Sequence, residues 1–498
     1  MSSAYGVRFG SSTSSIAACE EGKTIVLANE LGDRVTPCVV AFTEHDQVVG
    51  QAAKQGIIRN ADNTICNAKL ILGHSFSDPC VTHYNRNSSV SVIDLNGKPV
   101  FQVKYKDAKK TVTTEDVTQK IYQYMLETAK SHGGSSKTRC VLTAPVHFTM
   151  QQREILRKCA VAAGFVVMRV ISEPAAALLA YDVGQEDCTA CCTVLVLRIG
   201  GASSDVTVLA VRNGMYQIQA SYTDSDVGGD RFTEMLAKHL TMEFRRQSRQ
   251  DISENRRSVA KLRLASEREL LSRARFENEC SSLIAKCEQL ITKVLTETGK
   301  DCSDFDKVIL CGGGTRIPML QKTIEERFPN AELLSSIPPD EVVAQGAAKE
   351  AAILLSYEEK EISENAEETE MECLSSAISV KAGAISVEET SLVPVFLEMT
   401  PFHTRRHHSF QLEENQTSFC LEVVEVARSS EPRSLAKLVM RDLNPGTILT
   451  ATFHLKGDGG LHVTCTDGSS SHVTSVNIDI VESGMPNGNA DGNSEMPT

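Results

Sequence analysis

Arg8 and Arg198 each stand two residues ahead of a glycine in two stretches of one design. The first runs Val7, Arg8, Phe9, Gly10, Ser11, Ser12 and continues into Ile16 to Ala18; the second runs Leu197, Arg198, Ile199, Gly200, Gly201, Ala202, Ser203 and continues into Val206 to Leu209. Each reads as strand, small-residue turn, strand. Turns so poor in side chains leave backbone N–H groups free to approach phosphate oxygens, and two copies facing across a cleft grip a polyphosphate from both sides. A second chemical cluster is Cys188, Cys191 and Cys192, whose thiols suit zinc or redox chemistry. No second cysteine pair or histidine spacing completes a site around them, so the expected metal content is none.

The elements that position such hairpins are legible in the pattern around them. Residues 1 to about 355 alternate short apolar runs with longer helical ones, the rhythm of a doubly wound α/β domain. Thr113 and Asp116 form a capping box that opens a helix stopping at Gly133 and Gly134. A strand over Cys140 to Thr143 leads to a helix over Gln151 to Ala163 stopped by Gly164, and Pro174 starts an alanine-rich helix to Tyr181. A glutamate-rich stretch, 356–371, has almost no apolar period and reads as an acidic linker. Beyond it, 372–482 carries short alternating segments (Leu392 to Leu397, Phe419 to Val426, Ile448 to Leu455, Leu461 to Thr466) and reads as an all-β module. Within it Arg405, Arg406, His407 and His408 read as a solvated basic turn, and 483–498 as a disordered tail.

Composition bounds the function. The 498 residues carry a net charge of -13, 23% charged side chains, 5% aromatics and no tryptophan. A surface so acidic argues against sequence-independent nucleic-acid binding, which needs phosphate neutralisation. The N-terminus has no charged and apolar leader pattern, no segment approaches a membrane-spanning apolar run, and the sixteen cysteines are scattered, so a cytosolic chain with reduced thiols is expected.

Six segments in order carry a resemblance to the 70-kDa heat-shock chaperone family: NELGDRVTP (Asn29 to Pro37), NTICNAKLILG (Asn63 to Gly73), ISEPAAALLAY (Ile171 to Tyr181), VGGDRF (Val227 to Phe232), GGGTRIP (Gly312 to Pro318) and PPDEVVAQGAA (Pro338 to Ala348). The resemblance implies an actin-like, duplicated α/β nucleotide-binding domain followed by an all-β peptide-binding-type sandwich. It implies ATP as cofactor, with Gly10, Ser11, Ser12, Gly200, Gly201, Ala202, Ser203, Gly228, Gly229, Gly313, Gly314 and Asp340 around the nucleotide. Lys69 matches the family's catalytic lysine, Glu173 and Asp205 its acidic metal and water network, Glu267 and Arg316 its adenosine face, and Pro145 and Arg153 its relay to the second domain.

The departures are as informative. The family's residue two before each hairpin glycine is an aspartate serving hydrated magnesium; here it is arginine twice, and a guanidinium cannot hold a metal's water shell. Two such charges about 5 Å apart at an effective dielectric of about 20 repel by roughly 3 kcal/mol. Two readings of them stand: they clasp phosphates directly and make magnesium dispensable, or they swing out to solvent from a disused cleft. After Glu267 the sequence jumps near 268–272 to Ser272 to Phe276, skipping a helix, turn and strands of the family. The linker aligned at Glu370, Met371, Glu372, Cys373 and Leu374 lacks the family's leucines, at about 1.5 to 3 kcal/mol of docking per buried leucine lost. No helical lid is expected after the β module. These features match a divergent, lidless branch that pairs with a zuotin-type J-domain protein in a ribosome-associated complex assisting nascent polypeptides. The expected protein binds ATP with little or no hydrolysis and meets the ribosome indirectly. Three alternatives remain open: an ordinary ATP-hydrolysing chaperone, a sugar or glycerol kinase on the same fold, and a nonfunctional splice isoform arising from the jump.

Overall fold

The computed structural model describes residues 4–358 and 374–479, apart from 21, 107, 134–137, 186–190, 213, 250, 253–254, 267–271, 375, 384–391, 397–399, 401–403, 413–415, 427–431, 442, 457–459 and 468–472. Glu267, Cys188, the jump at 268–271, most of the acidic linker and the tail therefore lie outside the described residues. Packing divides the chain into two compact units, Met1–Glu368 and Thr369–Thr498.

The first unit contains one arrangement twice. Strands β1 (Ala4–Phe9), β2 (Thr13–Glu20) and β3 (Lys23–Val26) form an antiparallel meander, with the short β4 (Thr36–Pro37) pairing off β2. On the other side of β1, β5 (Thr138–Ala144) and β6 (Phe165–Ser172) add in parallel. The second sheet repeats this with the meander β7 (Cys192–Ile199), β8 (Ser204–Arg212) and β9 (Met215–Asp224), and with β10 (Lys307–Cys311) and β11 (Glu332–Leu334) added in parallel beside β7. Parallel neighbours need crossover helices, which supply the covering layers. One core, including Tyr5, Val7, Ile121, Tyr122 and Leu142, fills the first half; another, including Leu197, Val206, Ile284 and Leu310, fills the second. A third joins the halves through Ala176, Ala177, Val196, Ile309 and Ala347.

Local signals set the helices. In α1 (Thr114–Gly133) the Thr113 Oγ1 accepts from the Asp116 N–H while Asp116 Oδ2 accepts from the Thr113 N–H, the reciprocal box read from the sequence. Helix α2 (Met150–Ala163) ends at Gly164 in the left-handed region, φ 109°, and starts on a second box, Thr149 with Gln152, that the sequence reading missed. Helix α3 (Glu173–Ala180) has Ser172 as its N-cap and Pro174 in its first turn. It crosses the helix Val342–Glu358 so closely that a Cβ at Gly346 would lie 1.7 Å from the Ala176 carbonyl oxygen. Among the described residues no strand lies between Asp224 and Lys307; α4 (Gly229–Ser248), α5 (Arg256–Ser266) and α6 (Arg273–Thr298) fill that interval, with Phe232 stacked on Phe276.

The second unit is two four-stranded antiparallel sheets. One runs Val393–Phe396, Ala377–Gly383, Phe419–Val426, Arg433–Met440; the other Arg405–Gln411, Ile448–Leu455, Gly460–Asp467, Val473–Asp479. Inward residues such as Phe396, Leu421, Phe453 and Val463 make its core. The segment Arg405 to His408, read as a turn, is instead the start of an edge strand paired with Ile448–Leu455. Ladder hydrogen bonds override a charge run that has no strand signature of its own, and edge strands tolerate such charge well. Among the described residues this unit contains no helix, and no described helix is long and apolar enough to cross a membrane.

Candidate functional site

The two glycine turns are built alike. In the first, the Gly10 N–H donates to the Thr13 carbonyl at 3.1 Å; in the second, the Gly200 N–H donates to the Ser203 carbonyl at 2.9 Å. Each bond holds its turn open, and within the described residues the N–H groups of Ser11, Ser12, Gly201 and Ala202 donate no hydrogen bond. The turns meet tip to tip: a Cβ at Gly201 would lie 2.1 Å from Ser12 Oγ, so only glycine permits this approach. Helix α4 starts against the second turn, with the Gly229 N–H on the Gly200 carbonyl at 2.9 Å and the Asp230 N–H on the Gly201 carbonyl at 2.7 Å. Gly228 has no room for a side chain, since a Cβ there would lie 2.6 Å from the Gly201 carbonyl oxygen.

Asn67 ties the tips to the cleft. It adopts the left-handed conformation, φ 53°, which asparagine tolerates better than most residues. Ser12 Oγ donates to its Oδ1 at 3.2 Å and its Nδ2 donates to Asp230 Oδ2 at 3.0 Å. The 3-10 turn that follows, Ala68–Ile71, drives Lys69 into the interior, 5% exposed, where its Nζ lies between the Phe9 and Phe148 rings. Lys69 donates to the Phe9 carbonyl at 2.5 Å and to Glu173 Oε1 at 3.2 Å. Glu173 reaches it from the first turn of α3, a helix end that favours a carboxylate.

Arg198 does what neither reading of it anticipated. Its Nε lies 3.0 Å from Glu173 Oε2, its Nη2 pairs with Asp205 Oδ2, and the same Nη2 donates to Ser203 Oγ at 3.2 Å. The guanidinium thus sits between the two carboxylates instead of pointing at solvent. Arg198 is the cation that faces Glu173 Oε2 and Asp205 Oδ2, two buried oxygens with no other partner among the described residues. The other Asp205 oxygen accepts from Thr223 Oγ1 at 2.7 Å, and His147 Nδ1 lies 3.2 Å from that hydroxyl. Pro145, Val146, Glu173, Arg198, Asp205 and Cys311 are among the residues around a residual cavity of about 10 Å³, room for roughly one water.

The charges follow. Burial raises the Glu173 carboxyl, but Arg198, Lys69 and Arg8 overcome it and hold it down at about 2. Burial opposes the charge on Arg198, yet Asp205 and Glu173 raise its pKa. Burial pulls Lys69 down, with Arg198 and Arg8 adding to the effect and Glu173 opposing it. His147 is lowered by burial, against the pull of Asp205. Arg8, Lys69 and Arg198 therefore face Glu173 and Asp205, three cations against two carboxylates, with His147 neutral at pH 7.

Arg8 is 4% exposed and folds back over its own turn, its Nη2 3.2 Å from where a Gly10 Cβ would stand. Arg316 pairs with Asp340 at the surface, Gly313 faces open space, and Gly314 packs on Ile199. Arg153 donates to the Phe148 carbonyl at 3.4 Å. The structure thus gathers Arg8, Lys69, Glu173, Arg198 and Asp205 with both turns, and the positions Glu267 and Cys188 fall outside the described residues. Asn67, His147 and Thr223 were missed, although Asn67 lies inside one of the six recognised segments. Cys191 is exposed and Cys192 half-buried; among the described residues the one cluster with metal-ligating spacing is His74, Asp78 and Cys80, remote in sequence from them.

The site does not fit magnesium. A hydrated divalent ion takes oxygen ligands, whereas here a guanidinium fills the space between Glu173 and Asp205. Comparison with known proteins adds the family context. A family model described as Hsp70 protein matches residues 4–270 and 268–491, two pieces that meet where the sequence jumps. Heat shock 70 kDa protein 14 of Bos taurus is 38% identical over 509 residues, covering 96% of this chain and 99% of that protein. The Xenopus tropicalis protein of the same name is 40% identical over 512 residues, and the human one 38% over 509, with the same coverage.

Proposed function

From a chain that belongs to the Hsp70 family of chaperones, we infer a subunit that holds ATP without magnesium and does not turn it over. The family binds ATP generally. The observation that carries the departure is Arg198 seated between Glu173 and Asp205: both carboxylates are paired with an internal guanidinium and are not left to hold the water shell of a hydrated metal. Lys69 is likewise committed, to Glu173 and the Phe9 carbonyl. The free N–H groups of both turns and the excess positive charge suit a polyphosphate once the Ser12 and Gly201 tips part to admit it.

A nucleotide that is not hydrolysed drives no cycle of client capture and release. The role that remains is a standing scaffold: stable pairing with a zuotin-type J-domain protein in the cytosol, the pair meeting the ribosome through that partner and assisting nascent polypeptides with a separate, active chaperone. Support comes from the second unit, which among the described residues contains no helix, and from the acidic linker composition, which suit docking better than cycling.

The test is single-turnover ATP hydrolysis by purified protein over hours, with magnesium and with chelator, alongside co-purification with a zuotin-type J-domain protein. Retention of intact ATP in both buffers and a complex that survives size exclusion are the expected results. Magnesium-dependent phosphate release would restore the ordinary ATPase reading.

A further inference from the structure

The two substituted arginines occupy equivalent places in a duplicated fold, so each half serves as a control for the other. In the second half, the residue paired with Arg198 across the hairpin is Asp205, five positions after the turn glycine. In the first half, the residue paired with Arg8, also five after its glycine, is Ser15. One arginine has a built-in counter-ion and its twin has a neutral hydroxyl. On the parallel side Arg8 is paired with Thr143. Residues directly paired across a sheet leave it on the same face, so Thr143, Arg8 and Ser15 form one row over β5, β1 and β2.

All three are buried, at 0%, 4% and 3% exposure. The Ser15 and Thr143 hydroxyls have no hydrogen-bond partner, and among the described residues Arg8 has no ion pair, although its charge acts on Glu173, Lys69, Cys38 and Cys311. Buried donors left unmade are costly, and a buried charge more so. A group with several acceptor oxygens and negative charge supplies what the forked guanidinium lacks and what the two hydroxyls in its row lack.

We propose that Arg8, with Ser15 and Thr143 beside it, is a metal-free receptor for one phosphate group, and that Arg198 is a structural cation that takes no part in binding it. This rests on the reading of the site as one that holds nucleotide without magnesium. The phosphate belongs to a nucleotide or to free inorganic phosphate, and the experiment separates the two.

Full-length protein, stripped of nucleotide and kept in EDTA, is titrated with fluorescent mant-ATP, with pyrophosphate and inorganic phosphate as competitors. The wild type binds mant-ATP and both anions displace it. In Arg8→Gln the affinity falls at least 30-fold while the circular dichroism spectrum and a cooperative melt are kept; a merely structural arginine would instead lose the fold and leave the affinity of the folded fraction unchanged. Arg8→Lys recovers part of the affinity. Equal binding by Arg8→Gln and wild type overturns the proposal and leaves the nucleotide reading intact. Wild-type binding of ATP only with magnesium overturns the nucleotide reading. If pyrophosphate and inorganic phosphate bind in an Arg8-dependent way, assayed by calorimetry, and mant-ATP does not, the receptor stands and the nucleotide is refuted. Absence of binding by all three overturns both.

Discussion

Glu173→Gln removes the carboxylate that lies between Lys69 and Arg198, and its cost can be worked from the site. Burial alone would raise the acid, yet Arg198, Lys69 and Arg8 hold it at about 2, against 4.5 for an ordinary glutamate. That depression is worth about 3 kcal/mol of folding stability at neutral pH. The carboxyl is depressed in the folded state, so its contribution is fully present above 4.5 and is lost as pH falls through about 2. Glutamine keeps the shape and not the charge, leaving three cations against Asp205. In a unit of about 350 residues the loss lowers the melting temperature by about 4 °C at pH 7, and by about half that at pH 3. Circular dichroism at 222 nm reads it, since the chain has no tryptophan and the described helices all lie in the first unit. An unchanged melting temperature at pH 7, or a deficit of the same size at both pH values, refutes the ion-pair argument.

Gly346→Ala forces a methyl to within 1.7 Å of the Ala176 carbonyl oxygen, so the two helices separate or the first unit fails to fold; a melting point lowered by at least several degrees, or insoluble protein, is expected, and normal melting contradicts the close crossing. Cooperative loss of the 222 nm signal in the wild type is itself expected, because three contiguous cores tie the halves together, and a broad non-cooperative decline would instead favour a nonfunctional isoform. Burial pushes the Cys38 and Cys311 thiols up to about 12, so iodoacetamide at pH 8 labels the exposed Cys191 first and those two only on unfolding; mass spectrometry of digests shows the order.

What the sequence by itself determined was whatever depends on neighbours along the chain. The glycine turns, the Thr113 and Asp116 box, the Gly164 stop and the Pro174 start are decided by backbone preferences within a few residues, and the structure places each as read. Family membership was equally legible, because six segments keep their residue types in order. The site's electrostatics were not. Whether Arg198 grips an anion, swings outward or pairs internally depends on Glu173 and Asp205 arriving beside it from another helix and strand, and Coulomb energy is set by separation in space. The inequality of the two arginines became visible once register set Ser15 opposite one and Asp205 opposite the other. The strand at Arg405–Gln411 was hidden for the same reason: its ladder partner, Ile448–Leu455, lies some forty residues downstream, and only tertiary structure supplies the hydrogen bonds that make a charged segment a strand.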